Sequence, residues 1–528
     1  MKAYMLIGMM LLIMLLHISY YAINNMELIA EFQGEHNNSG YGKMLVSLDF
    51  NHDSYLDLVV LSPFYGWAYN QSPSRGKVYV YYGGPSFSFS TPPAMTLEGE
   101  YPNGTGRYVG WIDNIDDVNG DGYDDLLIID SLPGVSSSNR YMYYYGENPD
   151  LNSPDKIETV LSGQCIYEIY SIGDVDNDGF DDVGLGYTLN NIFMYDIQWG
   201  GTFERQVFLT GEGSVSYIGG IKRIGDINND GYDDFSIGLV HDDEDGLYNI
   251  IRIYYGNQQR VFTNPLVLIQ NYYGSRVSKA LGDLNGDGYD DFLGYANEDG
   301  MRVWFGSDNL NPSQPSLILN PVYFGDEYMR GIGYGDLNND GYDDAVGGNP
   351  YNRRFVVWMG GTAMNGSTDM QKINNLESFG YSLAMGDYNG DGCCDIAISA
   401  PKEYGEWPGH NFLGYVFVYG GNSSMVANDD LLAPALSEQL QLSISPNPLR
   451  SGSAISIRIK QPQANGSQPA QIEIYNIKGQ RLYRSEELVM NSAEISTRIT
   501  LPSLASGIYL CKVKVGDKEK ISKLSVIK

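Results

Sequence analysis

Short hydrophobic runs recur along most of the chain, and glycine-rich turns separate them. Some runs alternate apolar with other residues and end in glycine, as in GKVYVYYGG (76–84) and GYVFVYGG (414–421). Others are continuously apolar after an aspartate, as in DLLIID (125–130) and DIAISA (395–400). Alternation has the period of a half-buried strand, and short continuous runs suit fully buried strands. The pattern therefore predicts an all-β protein.

These runs follow one another in a fixed order that repeats about every 56 residues. Each unit has a run of the MTLEGE type (95–100), a strand ending in Gly-Asp or a variant, an acidic loop, an apolar run and an alternating run. The acidic loop has the pattern Asp-x-Asn/Asp-x-Asp-Gly-x-x-Asp and begins at Asp49, Asp117, Asp174, Asp226, Asp283, Asp336 and Asp387. Four short strands per unit and a period of this size predict propeller blades. We therefore expect a seven-bladed β-propeller over residues 23–421.

The two ends of the repeat array predict how the ring closes. The seventh unit stops at Gly421 after its third strand and lacks a run of the MTLEGE type. A run of that type, ELIAEFQG at residues 27–34, stands alone ahead of the first unit. We infer that this N-terminal strand completes the last blade, which leaves only short strand edges exposed.

Oxygen-bearing side chains occupy positions 1, 3, 5 and 9 of each acidic loop. Position 7 adds a backbone carbonyl, and Gly at position 6 permits a sharp turn. Six to eight such oxygens are what Ca²⁺ takes in proteins, although an EF-hand would end in Glu at position 12 between helices. The loops therefore predict calcium sites between strands. The alternative is a set of Asp/Asn/Gly hairpin turns without metal, and it has most weight at Asp49, where Ser54 replaces Gly.

The charge balance agrees with bound cations. The chain has 65 Asp+Glu against 33 Lys+Arg and a formal net charge of −32, which argues against nucleic-acid binding. The seven loops alone contain 27 Asp. Because so many like charges repel one another, bound Ca²⁺ should stabilise the ring, and we expect a primarily structural role for it.

The repeats resemble FG-GAP repeats, the units of the integrin α-subunit propeller. Phe379-Gly380 matches the FG element, Ala400-Pro401 and Ser62-Pro63 match the end of GAP, and the other copies keep these elements only loosely. The resemblance implies about six or seven Ca²⁺ ions. It implies these side-chain ligands: Asp49, Asn51, Asp53, Asp57, Asp117, Asn119, Asp121, Asp125, Asp174, Asp176, Asp178, Asp182, Asp226, Asn228, Asp230, Asp234, Asp283, Asn285, Asp287, Asp291, Asp336, Asn338, Asp340, Asp344, Asp387, Asn389, Asp391 and Asp395. It also implies these carbonyl ligands: Tyr55, Tyr123, Phe180, Tyr232, Tyr289, Tyr342 and Cys393.

The N-terminus has the pattern of an export signal. Lys2 precedes an apolar run of about 12 residues, so residues 1–22 are predicted to be a signal peptide. An uncleaved anchor is the alternative, although the run is short for a membrane span. We expect no membrane span once the signal is removed.

A different domain follows a linker at residues 422–441, which is rich in Asn, Ser, Ala and Pro. Residues 441–528 carry a net charge of +7, with 13 Lys+Arg and 6 Asp+Glu. Alternating runs predict a small β-sandwich over residues 442–528. The segments Pro446–Pro448, YNIKGQ (475–480) and LASGIY (504–509) resemble the type A C-terminal sorting domain of the type IX secretion system. This resemblance implies the secretion machinery as a partner and a secreted or outer-surface location in a Bacteroidota-type bacterium.

The function of the propeller is less constrained, because the chain contains no GxSxG, HExxH or GxxxxGK[ST] motif. Two loops, at residues 64–75 and 402–412, are long and aromatic, and the family resemblance implies that they lie on the face opposite the acidic loops. Ring closure makes their blades neighbours, so they are candidates for one glycan- or protein-binding patch. The candidate residues are Tyr65, Trp67, Tyr69, Tyr404, Trp407 and His410. The alternative is that these rings only pack their own loops.

Two functions from different classes remain open. The first is a non-catalytic adhesion or recognition module that binds an unknown extracellular glycan or protein. The second is an extracellular carbohydrate-active enzyme, since some polysaccharide lyases resemble this chain in carrying calcium-loaded propellers. A lyase would need basic residues and a His or Tyr base in the central funnel. An acidic funnel would argue against it.

Overall fold

The computed structural model describes residues 26–66, 75–99, 108–131, 140–146, 150–159, 164–189, 192–210, 215–243, 246–270, 278–297, 300–320, 329–401 and 413–425 of the repeat region. Beyond it, the model describes residues 441–445, 449–450, 454–460, 468–476, 480–485, 488–490, 494–500, 504, 507–515 and 518–527. The described residues form strands, turns and loops, with no helix among them. The predicted signal peptide lies outside these ranges. The chain divides into two compact units, Met1–Ala427 and Asn428–Lys528.

The first unit consists of seven four-stranded antiparallel sheets. Its first strand in the chain is β1 (Glu27–Gln33). Blade 1 is Met44–Leu48 (β2), Asp57–Ser62 (β3), Lys77–Tyr81 (β4) and Met95–Glu98 (β5). Blade 2 is Tyr108–Asn114 (β6), Leu126–Ser131 (β7), Arg140–Tyr144 (β8) and Lys156–Thr159 (β9). Blade 3 is Gln164–Gly173 (β10), Asp182–Leu189 (β11), Ile192–Gln198 (β12) and Arg205–Thr210 (β13).

The remaining blades repeat this order. Blade 4 is Val215–Gly225 (β14), Asp234–Asp243 (β15), Gly246–Tyr254 (β16) and Leu266–Gln270 (β17). Blade 5 is Lys279–Gly282 (β18), Asp291–Asn297 (β19), Gly300–Trp304 (β20) and Leu317–Leu319 (β21). Blade 6 is Gly331–Gly335 (β22), Asp344–Asn349 (β23), Arg354–Trp358 (β24) and Met370–Ile373 (β25). Blade 7 contains Leu383–Gly386 (β26), Asp395–Ala400 (β27) and Tyr415–Gly420 (β28), and β1 pairs with β28 as its fourth strand.

The position of a strand within its blade explains its hydrophobic pattern. The second and third strands are buried on both faces because neighbouring blades pack against each side, and every residue of β3, β4, β23 and β24 is buried. The outer strands β5 and β25 alternate between exposed and half-buried residues. Continuous apolar runs therefore lie in the middle of a blade, and runs of the MTLE type lie at its rim. The run GKVYVYYGG is not half-buried as its alternation suggests, because its strand β4 is covered on both faces.

The ring closes as the sequence predicts. The first strands of consecutive blades contact one another in order, and β26 of blade 7 contacts β2 of blade 1. In the last blade, β1 pairs antiparallel with β28 from Glu27 opposite Gly420 to Gln33 opposite Tyr415. The N-terminal strand thus completes the seventh blade, and the seven-bladed all-β architecture is confirmed.

Backbone hydrogen bonds join each blade to the next. In six pairs of blades, an N–H in the turn after the third strand donates to the carbonyl at position 2 of the preceding acidic loop, at 2.7–2.8 Å. The donor and acceptor pairs are Gly84 and Tyr388, Gly201 and Val118, Asn257 and Val175, Ser307 and Ile227, Gly361 and Leu284, and Asn422 and Leu337. The acidic loops therefore lie at the joints of the ring.

The second unit has two sheets that enclose one apolar core. One sheet has the order β29-β31-β35, and the other has the order β30-β37-β36-β32-β33, with β34 paired to β32. Their strands are Gln441–Ser445 (β29), Leu449–Arg450 (β30), Ala454–Lys460 (β31), Gln468–Asn476 (β32), Arg481–Arg484 (β33), Leu488–Met490 (β34), Glu494–Thr500 (β35), Gly507–Val515 (β36) and Lys518–Ile527 (β37). Ile457 from one sheet and Ile472 and Val513 from the other belong to the same buried cluster. The predicted β-sandwich is confirmed.

Candidate metal centres

The first Asp of each acidic loop organises the turn that follows it. In blade 2, Asp117 Oδ1 accepts from the N–H of Asp121 at 3.0 Å, and Asp117 Oδ2 accepts from the N–H of Gly122 at 2.8 Å. Asp121 Oδ1 then accepts from the N–H of Tyr123 at 3.0 Å. These bonds turn the backbone around the side chains at positions 1 and 5. The same three bonds occur in all seven loops.

The Asp at position 9 is fully buried in every loop. Asp125 Oδ2 accepts from Val118 N–H at 3.1 Å, and its Oδ1 accepts from Gly146 N–H at 3.2 Å after the third strand. Burial, together with the nearby charges of Asp121 and Asp117, raises the pKa of Asp125 to about 8. A cation beside this carboxyl group would hold it in its charged form. The position-9 residues with this burial are Asp57, Asp125, Asp182, Asp234, Asp291, Asp344 and Asp395.

The third loop gives the clearest test of whether a metal fits. Carboxylate oxygens of Asp174, Asp176 and Asp182 all lie within 4.8 Å of one another. Asp176 is 4% exposed, and its Oδ1 is buried without a hydrogen-bond partner. A buried carboxylate oxygen is costly unless something pairs with it. Because every side-chain donor here is an oxygen, the residues fit a hard cation such as Ca²⁺.

An arginine from the next blade also contacts this loop. The Arg260 guanidinium pairs with Asp176 and with Asp178, the latter at 2.9 Å, and lies 4.3 Å from the Trp199 ring. Only this loop has Asp instead of Asn at position 3. Arg260 therefore offsets the additional negative charge. No spacing rule links Arg260 to Asp176 in the sequence, so the sequence analysis missed it.

The first loop keeps the common backbone although its sequence is degenerate. Its carboxylates make the same turn bonds as the other loops. Ser54 occupies position 6 with a φ of 71°, where the six other loops have Gly with φ between 84° and 90°. A side chain in this left-handed region is strained by about 1–2 kcal/mol.

Ser54→Gly is expected to stabilise the folded chain by roughly 0.5–1 kcal/mol. The substitution removes the left-handed strain, and the greater freedom of glycine in the unfolded chain offsets part of the gain. Chemical denaturation in calcium buffer measures the change. Gly341→Ser is the matched reverse change, because Gly341 has a φ of 89° and open space around its Cβ position. If both variants shift stability in the same direction, backbone strain is not the cause.

The Asp at position 8 joins neighbouring blades. In five joints its Oδ2 accepts from the N–H of the first Asp of the preceding loop, at 2.9–3.1 Å. The pairs are Asp124 with Asp49, Asp181 with Asp117, Asp233 with Asp174, Asp290 with Asp226 and Asp343 with Asp283. The sequence analysis placed calcium ligands at positions 1, 3, 5 and 9 and gave position 8 no role, so it missed this contact.

The two joints on either side of blade 7 lack this carboxylate. Position 8 is Leu56 in blade 1 and Cys394 in blade 7. Each of these two residues still donates its backbone N–H to the preceding loop, at 3.4 Å from Leu56 N to Asp387 O and 2.8 Å from Cys394 N to Asp336 O. Blade 7 therefore lacks the carboxylate hydrogen bond at both of its joints.

Asp290→Ala is expected to lower the free energy of unfolding by about 1–3 kcal/mol. The substitution leaves the half-buried N–H of Asp226 without its acceptor. Asp290→Asn keeps an acceptor oxygen and should lose less. Urea denaturation of both variants in calcium buffer measures the difference. Equal losses would show that the charge of Asp290, and not the hydrogen bond, stabilises the joint.

Comparison with known proteins agrees with this geometry. Residues 45–81 and 379–419, in blades 1 and 7, match the FG-GAP repeat family. Residues 443–528 match the secretion system C-terminal sorting domain family. The chain contains FG-GAP repeats and a secretion sorting domain. The sorting domain indicates handling by the type IX machinery and a secreted or cell-surface protein of a Bacteroidota-type bacterium.

The FG-GAP propeller is similar to parts of integrin α subunits. Integrin alpha-5 of Xenopus laevis is 28% identical over 236 residues, which cover 39% of this chain and 22% of that protein. Integrin alpha-7 of Mus musculus is 34% identical over 143 residues, which cover 24% and 11%. The chain thus matches only about a tenth to a fifth of the length of these relatives.

One solved structure matches over a longer span. It was published as a "structural and functional probing of PorZ, an essential bacterial surface component of the type-IX secretion system" of Porphyromonas gingivalis. The match covers 92% of this chain and 59% of that chain, with 12% identity and a TM-score of 0.39. Similarity at this level does not support a conclusion about fold or function.

The predicted aromatic patch lies mostly outside the described residues of the FG-GAP propeller. This is so for Trp67, Tyr69, Tyr404, Trp407 and His410. Tyr65 is described and is 9% exposed. Its hydroxyl donates to Glu35 Oε2 at 3.0 Å, and its ring lies 4.7 Å from Lys77 Nζ. The Tyr65 side chain is therefore buried against other residues of the propeller. The patch as a whole stays a prediction.

The centre of the FG-GAP propeller contains both signs of charge. Arg223 of blade 4 lies 3.1 Å from Asp116 of blade 2 and 3.1 Å from Asp233. The first contact skips blade 3, so the Arg223 side chain extends across the centre of the ring. On the first strands of three blades, Asp113 of blade 2 lies close enough to Lys222 of blade 4 and Lys279 of blade 5 for their charges to act on it. These basic groups each face a carboxylate, so this part of the centre is neither an acidic nor a basic funnel.

Within the described part of the chain, no helix is long and apolar enough to cross a membrane.

Proposed function

We propose that the protein is an exported, calcium-stabilised propeller that recognises an extracellular glycan or protein and does not act as an enzyme. The observation that carries this proposal is that the acidic side chains of the loops already have structural hydrogen-bond partners. The carboxylates at loop positions 1, 5, 8 and 9 already accept backbone hydrogen bonds that build turns or join blades. Carboxylates committed in this way suit a scaffold and leave few for acid–base chemistry.

Calcium is the cation we assign to the seven loops. The ligands would be the 28 side chains at positions 1, 3, 5 and 9 and the carbonyl at position 7 of each loop. When bound, Ca²⁺ would neutralise the clustered carboxylates and hold the turns between the first and second strands. We expect about six or seven ions per chain. Elemental analysis of the purified chain after dialysis against trace calcium measures the number.

The similarity to integrin α subunits supports a recognition role, because a propeller of this kind offers a broad face for a partner. The sorting domain would deliver that face to the outside of the cell. The predicted aromatic patch is one candidate for the contact surface. Exposed aromatic rings beside polar groups suit both sugar stacking and protein anchoring.

Binding of the full chain to arrays of glycans and matrix proteins, with calcium and with EDTA, tests the proposed function. We expect calcium-dependent binding. A variant with Trp67→Ala and Trp407→Ala tests the aromatic patch, and loss of binding in this variant would locate the contact surface there. If no ligand binds in either buffer, the recognition role is wrong.

A polysaccharide lyase is the second candidate, because one tyrosine in the ring has two basic neighbours. Tyr381 lies between Lys43 and Arg330, which is the residue set that deprotonation of a uronate would need. Burial raises the pKa of Tyr381, however, so the phenol stays protonated at neutral pH and is a poor base. Ultraviolet detection of unsaturated products after incubation with polyuronates tests this candidate. Their appearance would replace the non-catalytic proposal.

A further inference from the structure

Three adjacent blades place polar or charged residues at the same position of the ring. Arg330 of blade 6, Tyr381 of blade 7 and Lys43 of blade 1 each lie six residues before the first Asp of their own acidic loop. Each comes just ahead of the first strand of its blade. These strands run toward the acidic loops, so the three residues lie at the opposite end of the inner strands.

The three side chains form one contact group. Lys43 Nζ lies 4.4 Å from the centre of the Tyr381 ring and donates a hydrogen bond to the Tyr381 hydroxyl. Arg330 Cζ lies 4.6 Å from the same ring centre. Arg330 is exposed, and Lys43 and Tyr381 are half-buried. The group is therefore partly covered at Lys43 and Tyr381 and open to solvent at Arg330.

The electrostatics of this group are unusual for this chain. Burial and the charge of Arg330 lower the pKa of Lys43 to about 8. The propeller places these like charges together although acidic residues far outnumber basic ones in it. The ion pairs formed among the described residues do not include Arg330. An anion beside Arg330 and Lys43 would offset their repulsion.

We propose that Lys43, Arg330 and Tyr381 bind the carboxylate of a sugar acid, such as a uronate unit of an acidic polysaccharide. The inference rests on the proposed recognition function and names its ligand class. Guanidinium and ammonium groups bind carboxylates through charge-assisted hydrogen bonds, and the exposed Arg330 guanidinium has the geometry for a bidentate contact. The ligand would approach along the axis of the ring, at the end opposite the acidic loops.

The mixture of donors favours a sugar acid over an acidic peptide. The phenol of Tyr381 adds a neutral hydroxyl beside the two cations, and a neutral hydroxyl can both donate and accept. A uronate presents a carboxylate and hydroxyl groups on one rigid ring. The side chain of an acidic peptide presents only the carboxylate on a flexible stem and has no hydroxyl group to pair with the O–H of Tyr381.

Titration calorimetry of the full chain in calcium buffer tests the proposal, with a short oligogalacturonate and its methyl ester as probes. The acid should bind, and the ester should bind at least about tenfold more weakly because it lacks the charge. Arg330→Gln and Lys43→Gln should each weaken binding of the acid by a similar factor. Lys43→Arg keeps the charge and should retain most of the affinity. Thermal melting confirms that each variant is folded.

Lys372→Gln is the matched control. Lys372 also lies over a tyrosine ring, 5.4 Å from the centre of Tyr419, but on the outer strand of blade 6. This variant should bind the acid as the unchanged chain does. Equal binding by all variants would place the uronate site elsewhere and overturn the inference while leaving recognition intact.

Two further results would also overturn the inference. If an oligoglutamate binds with the same dependence on Arg330 and Lys43 and the oligogalacturonate does not, the ligand class is wrong. If neither probe binds but the arrays show another ligand, the inference fails and the proposed function stands. Failure of the proposed function itself would appear as absence of binding on every array.

Discussion

Removal of calcium with EDTA is expected to lower the melting temperature of the full chain by at least about 10 °C. Each site contributes about 2.7 kcal/mol when free calcium is a hundred times its dissociation constant, and six or seven sites act together. A chain of this size shifts by roughly 1–2 °C per kcal/mol, which follows from the larger unfolding entropy of larger proteins. Without the ion, the 27 Asp of the loops would repel one another.

Thermal melting by circular dichroism measures this effect, with calcium added back in excess as the control. The melt should return to its original position. Magnesium should restore less of the lost melting temperature, because it requires near-octahedral geometry, which a loop of this kind does not readily provide. A melting curve that EDTA leaves unchanged would mean that the loops are hairpin turns held by their own hydrogen bonds.

A second large effect is expected for Ala30→Asp, which should lower the free energy of unfolding by about 4 kcal/mol or more. Ala30 lies in β1 opposite Val418 and has no exposed surface. It belongs to the buried cluster that blades 7 and 1 share. A carboxylate at this position would be buried without a partner, which is among the most destabilising single changes.

Urea denaturation and limited proteolysis measure the effect of Ala30→Asp. Glu31→Gln is the control, because Glu31 is the next residue of the same strand and its side chain is exposed. This control should change the free energy of unfolding by less than about 0.5 kcal/mol. If Ala30→Asp is as stable as the unchanged chain, then β1 does not close the ring in solution.

Much of the fold could be predicted because its signals are local. Each strand carries its own hydrophobic period, and each acidic loop carries its own turn residues. The closure of the ring by residues 27–34 could also be predicted from the number of strands in each unit. The seventh unit lacks a fourth strand, and an unassigned strand of that type precedes the first unit. These expectations are confirmed because a repeat needs only its neighbours to form.

The contacts between blades could not be predicted from the sequence. Asp124 and Asp49 are 75 residues apart, and Lys43 and Tyr381 are 338 residues apart. Their meeting depends on the register of strands that are neighbours only in the closed ring. Five loops end in two aspartates that look alike in sequence, yet one Asp faces the loop interior and the other faces the preceding blade. The 28 calcium ligands and the aromatic patch stay predictions.

The pairing of β1 with β28 also determines when the ring can close during synthesis of the chain. The strand at Glu27–Gln33 is synthesised before its partner at Tyr415–Gly420, which comes almost 400 residues later. At typical rates of 5–20 residues per second, β1 must wait about 20 s or longer for a partner. Throughout that interval it is an unpaired edge, and such edges recruit other chains. Glu27 and Glu31 point outward from this strand and carry like charges that discourage premature pairing. The ring therefore closes only when β28 reaches a strand that was synthesised almost 400 residues earlier.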